Sequence, residues 1–264
     1  MRRRRPPRPE HPGRRDTSWQ EASGWYGKSV GEKGHHYHRS VVIPGVLKLL
    51  DIRHAASASL LDLGCGQGVL SRALPSGVDY WGVDASPALI EQARELGGRG
   101  QFLCADATAN LPLEKSDFTH AALILALQNM SDAGKAVNNA ARRLRPGGRA
   151  VAVVNHPCFR VPKQSFWGVD KTTNMQYRKL QRYLSPQRVS IRIHPSRREK
   201  SPIAWTFHEP LAGVCKWFSD AGLLIERLEE WVSDKRSTGP QARREDIARM
   251  EFPLFLALSA LKPG

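Results

Sequence analysis

Residues 60–68 constrain this chain more than any other stretch. They read Leu60-Leu61-Asp62-Leu63-Gly64-Cys65-Gly66-Gln67-Gly68. The apolar run over 59–63 predicts a buried strand, and an apolar helix is expected over 69–74. Between them stand three alternating glycines. Without Cβ atoms the backbone can turn sharply there and let a ligand lie against it. A strand, a glycine-rich turn and a helix in this order belong to open α/β sheets, whose ligands sit outside the carboxyl ends of the strands.

The following chain keeps the same rhythm. Strands are predicted over 78–83, 101–104, 118–126 and 149–154. A helix begins at Ser86-Pro87, with Ser as N-cap and Pro at the first helical position, and runs to Leu96. A second helix, 132–144, is stopped by Arg145-Pro146-Gly147-Gly148. Strands separated by helices at this spacing predict a parallel sheet in a doubly wound, Rossmann-like α/β fold. The rhythm breaks at Asn155. Residues 156–203 are basic, polar and aromatic, with a helix expected around 175–183 and a hairpin pairing 189–193 with 203–207. It then resumes with a helix over 211–221 closed by Gly222. A strand over 223–231, a short helix over 240–250 and a last strand over 254–261 complete it. Residues 1–18 read as a disordered Arg/Pro-rich tail. The expected organisation is one ligand-binding domain, 19–155 plus 204–264, carrying 156–203 as a basic aromatic insertion.

Charge is partitioned along these lines. The formal net charge is +15. Residues 1–15 contribute +6 and residues 156–203 contribute +9, so the remainder is neutral. Nucleic acid is therefore not demanded by the whole chain, only made conceivable by two segments. A hydrophobic content of 41% with 25% charged residues excludes wholesale disorder. No apolar run approaches the roughly 18 residues of a membrane span, and no apolar region follows Arg2–Arg5 as in a secretory signal. Cys65, Cys104, Cys158 and Cys215 lack CxxC spacing, which argues against a zinc cluster or a disulfide framework and for a reducing cytoplasm.

The glycine turn also carries information about its ligand. Its Gly-x-Gly-x-Gly spacing differs from the Gly-x-Gly-x-x-Gly of a pyrophosphate-binding turn. Asp62, two residues before Gly64, would repel a pyrophosphate but suits a cation. Asp84, at the end of the second strand, is placed to accept hydrogen bonds from two ribose hydroxyls. Asp106, after the third strand, can receive an adenine amino group. An adenine, a ribose and a cation without phosphate describe S-adenosylmethionine.

The stretch from Leu60 to Val154 resembles the class I S-adenosylmethionine-dependent methyltransferases. The turn from Asp62 to Gly68 is similar to the family's first motif, and Asp84, followed by Ala85, matches its ribose-binding acid. Cys104-Ala105-Asp106-Ala107 resembles the adenine-binding motif, and Leu144-Arg145-Pro146-Gly147-Gly148 the turn before the fifth strand. In style the chain is closest to the small-molecule branch typified by quinone-biosynthesis (type 11) methyltransferases. The resemblance implies a seven-stranded sheet in the order 3-2-1-4-5-7-6 with the last strand antiparallel. It implies cofactor contacts from Asp62, Gly64, Gly66, Gly68, Asp84, Ala85, Asp106 and Ala107. Trp25, Tyr26, Tyr37 and His38 look like part of an N-terminal lid over the methionine end, with Tyr26 and His38 as cofactor contacts.

Methyl transfer requires alignment of an acceptor with the C–S bond and exclusion of water. A base helps when the acceptor carries a proton, and His suits that task near neutral pH. His156, after the fifth strand, whose end faces the acceptor, is the favoured candidate and His208, after the insertion, the second, with Gln128, Asn129 and Asn155 beside them. The His35–His38 cluster lacks ligands at metal spacing apart from Glu32, so no metal is expected. The expected acceptor is a small molecule, anionic or aromatic, facing the insertion. RNA held by the basic insertion, an acidic carrier protein, and non-catalytic cofactor binding remain as alternatives.

Overall fold

The computed structural model describes residues 35–52, 57–192 and 203–264. The strand–helix alternation closes into one seven-stranded sheet. Its parallel part comprises β1 (Ser59–Leu63), β2 (Asp79–Asp84), β3 (Gln101–Cys104), β4 (Phe118–Ile124) and β5 (Leu144–Asn155). Four further strands, β6 (Ser165–Val169), β7 (Gln176–Leu180), β8 (Gln187–Arg192) and β9 (Ile203–His208), lie outside it. The sheet is completed by β10 (Leu224–Trp231) and β11 (Phe255–Leu261), with β11 inserted antiparallel between β5 and β10. The resulting order, β3-β2-β1-β4-β5-β11-β10, is the topology expected from the sequence.

Among the described residues the α-helices are α1 (Ile43–Leu50), α2 (Val69–Ala73), α3 (Pro87–Glu95), α4 (Ala133–Arg143) and α5 (Leu211–Asp220), which pack on the sheet, and α6 (Ala242–Glu251), which lies against β7. The strands are apolar on both faces because both are covered. Leu61, Leu63, Leu123 and Val154 pack with α4 and α5. Their sequence neighbours Leu60, Ala122 and Val153 face the opposite way, against α1, α2 and α3. Two helix starts are capped by side chains, the first of them as anticipated. The Ser86 hydroxyl accepts the Leu89 N–H at 3.3 Å and the Asp132 carboxylate accepts that of Lys135 at 3.3 Å. The Arg145–Gly148 turn loops out of the β4–β5 ladder, where pairing jumps from Phe118↔Leu144 to His120↔Arg149.

The insertion after β5 folds as two antiparallel pairs, β6–β7 and β8–β9. The helix expected around 175–183 is not formed; that segment is β7. Turn chemistry decides the matter. The Asp170 carboxylate accepts the Thr172 N–H at 2.8 Å, Asn174 takes a positive φ of 53°, and the Asp170 N–H reaches the Met175 carbonyl at 2.9 Å. This closes a hairpin. The Arg178 guanidinium then lies 4.7 Å from the Trp167 ring centroid directly across the pair. An aromatic seam ties the insertion to the body: Phe252, after α6, meets Phe159 at 5.5 Å and Trp167 at 5.3 Å between centroids. Among the described residues no helix is long and apolar enough to cross a membrane. The proposed tail, 1–18, lies outside the described residues, as do Trp25 and Tyr26.

Candidate active site

Because β1 to β5 run parallel and in register, their carboxyl ends share one edge. The glycine turn, Asp84, Asp106, the loop after β4 and Asn155 all lie along it. Gly64, Gly66 and Gly68 take φ values of 81°, 54° and 72°, a region that L side chains rarely adopt. Gly64 is constrained twice, because a Cβ there would come within 2.4 Å of the Ala126 Cβ. The turn packs against the start of the loop after β4, and only glycine permits that approach.

Asp84 closes the turn from the opposite side. Its Oδ2 accepts the Gly66 N–H at 2.9 Å and its Oδ1 accepts the Ser86 N–H at 2.9 Å. Burial raises its pKa, and the backbone N–H bonds partly restore the charged form. Ala85 is exposed beside it. Asp62, 2% exposed, receives the Tyr80 hydroxyl on Oδ2 at 2.6 Å, whereas its Oδ1 is buried without a partner. Burial, opposed by the Tyr80 bond and reinforced by the Asp84 charge, lifts its pKa to about 7. Asp106 is exposed after β3, with Oδ1 accepting both the N–H and the hydroxyl of Thr108 at 2.8 Å. Ala107 is buried next to it, and its carbonyl accepts the Asn139 amide at 2.8 Å.

These groups fit S-adenosylmethionine. The buried Asp62 oxygen lacks a donor, and the ends of β1, β2 and β3 around the turn carry Asp62, Asp84 and Asp106. Such a set suits hydroxyls, amino groups and a sulfonium, and disfavours phosphate.

The other half of the edge is built around a strained residue. Leu125, just after β4, has φ 54° and donates its N–H to the Val153 carbonyl at 2.7 Å. Its own carbonyl accepts the amides of Gln128 at 2.7 Å and Asn129 at 3.2 Å. Gln128 Oε1 is left buried without a hydrogen-bond partner. β9 lies against this loop, with the Thr206 hydroxyl donating to the Gln128 carbonyl at 3.2 Å. The junction forms a cleft whose walls include Gln128, Asn155, Arg160, His208 and Trp217.

The histidines differ in placement. His208, 4% exposed, is on the cleft wall. Its Nε2 lies 2.7 Å from the Tyr183 carbonyl, which can only accept, so Nε2 carries a proton and Nδ1 is the nitrogen left for another partner. His156, 1% exposed, sits between the wall residues Asn155 and Pro157 but is not itself part of the wall. Its Nδ1 accepts the Cys158 N–H at 3.2 Å, so Nε2 donates to Glu230 at 2.7 Å. Burial lowers its pKa against the opposing pull of Glu230.

His38 lies in a π-helical turn, His38–Val42, that leads into α1. Its Nδ1 is buried without a partner, and burial depresses its pKa to about 4, so the ring is neutral. The preceding residues anchor elsewhere: Tyr37 bonds Ser233 at 3.0 Å and His36 bonds Asp234 at 2.9 Å. No group of three metal-ligating side chains stands together among the described residues. Sequence reasoning missed Leu125 and Arg160, since neither a positive φ at leucine nor an unpaired arginine has a local signature.

Comparison with known proteins converges on the same edge. Residues 61–152 match the Methyltransferase domain family. The 18S rRNA (guanine-N(7))-methyltransferase of Mus musculus is 32% identical over 99 residues, 37% of this chain and 35% of that protein. The malonyl-[acyl-carrier protein] O-methyltransferase of Pseudescherichia vulneris is 29% identical over 173 residues, 64% of this chain and 66% of that protein. The chain thus spans less than two thirds of the length of these relatives. In fold it is similar to an S-adenosylmethionine-dependent methyltransferase from Mesorhizobium loti, with a TM-score of 0.64, 23% identity, and coverage of 88% of this chain and 100% of that one. The matched domain over residues 61–152, the sheet order and the glycine turn agree with one another, and the fold is that of the class I S-adenosylmethionine-dependent methyltransferases.

Proposed function

We propose that this chain transfers a methyl group from S-adenosylmethionine to a small-molecule acceptor, in the cytoplasm, with the acceptor seated in the cleft at the ends of β4 and β5. The observation that carries this reading is His208, a cleft-wall imidazole whose Nε2 proton is committed to a carbonyl and whose Nδ1 is left for another partner. The cofactor supplies an electrophilic methyl group. Gly64, Gly66, Gly68, Asp62, Asp84, Ala85, Asp106 and Ala107 hold it along the turn and the ends of β2 and β3. His38 covers its methionine end.

On the acceptor side, Gln128 and Asn155 orient the molecule, and the β8–β9 pair excludes water. His208 Nδ1 would take the acceptor's proton, while the bound cofactor would give up its methyl group to the acceptor and remain as S-adenosylhomocysteine. His156 acts from behind as a positioning residue, fixing the chain direction between Asn155 and Pro157 through its bonds to Glu230 and Cys158. Incubating the protein with methyl-labelled cofactor and fractionated cell extract tests this. Label in a small organic-soluble product is expected. Binding of the cofactor without any S-adenosylhomocysteine would establish a non-catalytic role instead.

An RNA acceptor is favoured by one observation. The outward face of β6–β7 exposes Phe166 and Tyr177 beside Lys179, a pattern able to stack bases and contact phosphates. Label appearing in RNA, with binding that weakens steeply as salt rises, would select that reading.

A further inference from the structure

The same cleft contains a cation that has no acidic partner among the described residues. Arg160 lies on its wall, in the turn that leaves β5, where its N–H bonds the His156 carbonyl at 2.8 Å. No carboxylate among the described residues comes within 4.0 Å of its guanidinium, unlike the paired Arg149, Arg227, Arg236 and Arg249. Its side chain is open to solvent as a whole, yet its charged end is crowded enough that burial lowers its pKa, with Tyr37 opposing.

The neighbours explain why the charge stays available. Arg178, the other cation close by, is committed: it donates to the Phe159 carbonyl at 3.0 Å and to Ser165 at 2.7 Å, and stacks on Trp167. Glu209, the acid on the cleft wall, is directed elsewhere. Its Oε2 lies over the first turn of α5, where a Cβ on Gly213 would be 2.6 Å away. There it faces the positive end of the helix. An unpaired, partly desolvated guanidinium opposite the polar groups Gln128 and His208 is an incomplete ion pair.

We infer that Arg160 binds the carboxylate of the acceptor, so that the substrate is a small carboxylic acid methylated at another of its groups. This inference rests on the methyltransferase reading above and names the acceptor class for it. A guanidinium holds a carboxylate through two parallel N–H bonds, which fixes orientation as well as affinity. With Arg178 already committed, a single guanidinium matches one negative charge better than a phosphate dianion. A carboxylate held this way is also a weak nucleophile, which leaves the neighbouring group as the one presented to His208.

The test uses the full chain saturated with S-adenosylhomocysteine and titrated with matched probes. 4-Hydroxybenzoate is expected to bind about tenfold more tightly than 4-hydroxybenzamide, and more tightly than inorganic phosphate. Arg160→Gln removes that preference, Arg160→Lys keeps part of it, and Lys179→Gln, on the exposed outer face of β7, leaves it intact. Equal affinities for acid and amide, tighter binding of phosphate, or a preference that survives Arg160→Gln overturns the inference. Titration of S-adenosylhomocysteine into each protein separates the two levels. Failure to bind it strikes the methyltransferase reading, whereas binding it without a carboxylate preference strikes only the assignment of Arg160.

Discussion

The two halves of the strand-end edge are built by different means. Around Gly64–Gly68 the chain leaves little freedom: positive φ values, a glycine in contact with Ala126, and an aspartate that clamps two backbone N–H groups. On the β4–β5 side, position comes from contacts between distant segments. There Gln128 meets Thr206, His208 meets Tyr183, and Arg160 stands without an acid. A shared cofactor can be held by a short local device. A particular acceptor has to be recognised by side chains gathered from separate stretches, and that is where relatives of one family diverge.

Four measurements bear on this contrast. The largest effect is expected from Asp84→Ala, which removes the acceptor for both N–H groups and the proposed anchor for the ribose. S-adenosylmethionine binding by calorimetry should weaken by about 100-fold or more, and near-normal affinity would dismantle the cofactor side altogether. Gly64→Ala comes next. It forces a Cβ against Ala126 at a left-handed φ, and denaturant titration should show a loss of about 2–4 kcal/mol.

Asp62 gives an effect that depends on pH. Its folded pKa of about 7 lies above the usual carboxylate value, so the folded protein holds this proton more tightly than the unfolded chain. That contribution is complete below about pH 4 and is lost as pH rises through about 7. Asp62→Asn should therefore gain relative to the parent protein between pH 5 and pH 8, by at most about 4 kcal/mol. A difference independent of pH would show that Asp62 ionises freely.

The smallest effect is predicted on the insertion's outer face. Phe166→Ser and Tyr177→Ser should each change stability by less than about 0.5 kcal/mol and leave cofactor affinity untouched. If they reduce RNA retention, the RNA reading gains. If they do nothing, the acceptor side narrows to the cleft.

Much of the molecule was legible from residue order. The strand–turn–helix at 59–74, the Ser86 cap and the hairpin partners around 189–193 and 203–207 reflect local periodicity and turn chemistry acting within short windows, whereas the sheet order came from the family resemblance. The failure at 175–183 is instructive. Lys179, Leu180, Gln181 and Arg182 suit a helix, but the turn at Asp170–Asn174 brings β6 alongside, and pairing with Trp167 outweighs propensity.

His156 and His208 mark the division between local and tertiary information. Both follow strands and stand near a proline, and the sequence alone favours His156 because it ends the fifth strand, whereas in the structure His208 is the one on the cleft wall. The sequence determined that the chain would build a doubly wound sheet with a glycine turn for an adenosyl cation, because those features depend on neighbours a few residues apart. Only the tertiary structure decided which imidazole keeps a free nitrogen and which arginine lacks an acid. Those properties depend on Tyr183, Cys158, Glu230 and Glu209, residues 2 to 74 positions away in sequence from the groups they engage or in a separate part of the cleft. Hydrogen-bond and charge pairing are satisfied in space, and proximity in space is fixed only when the sheet closes.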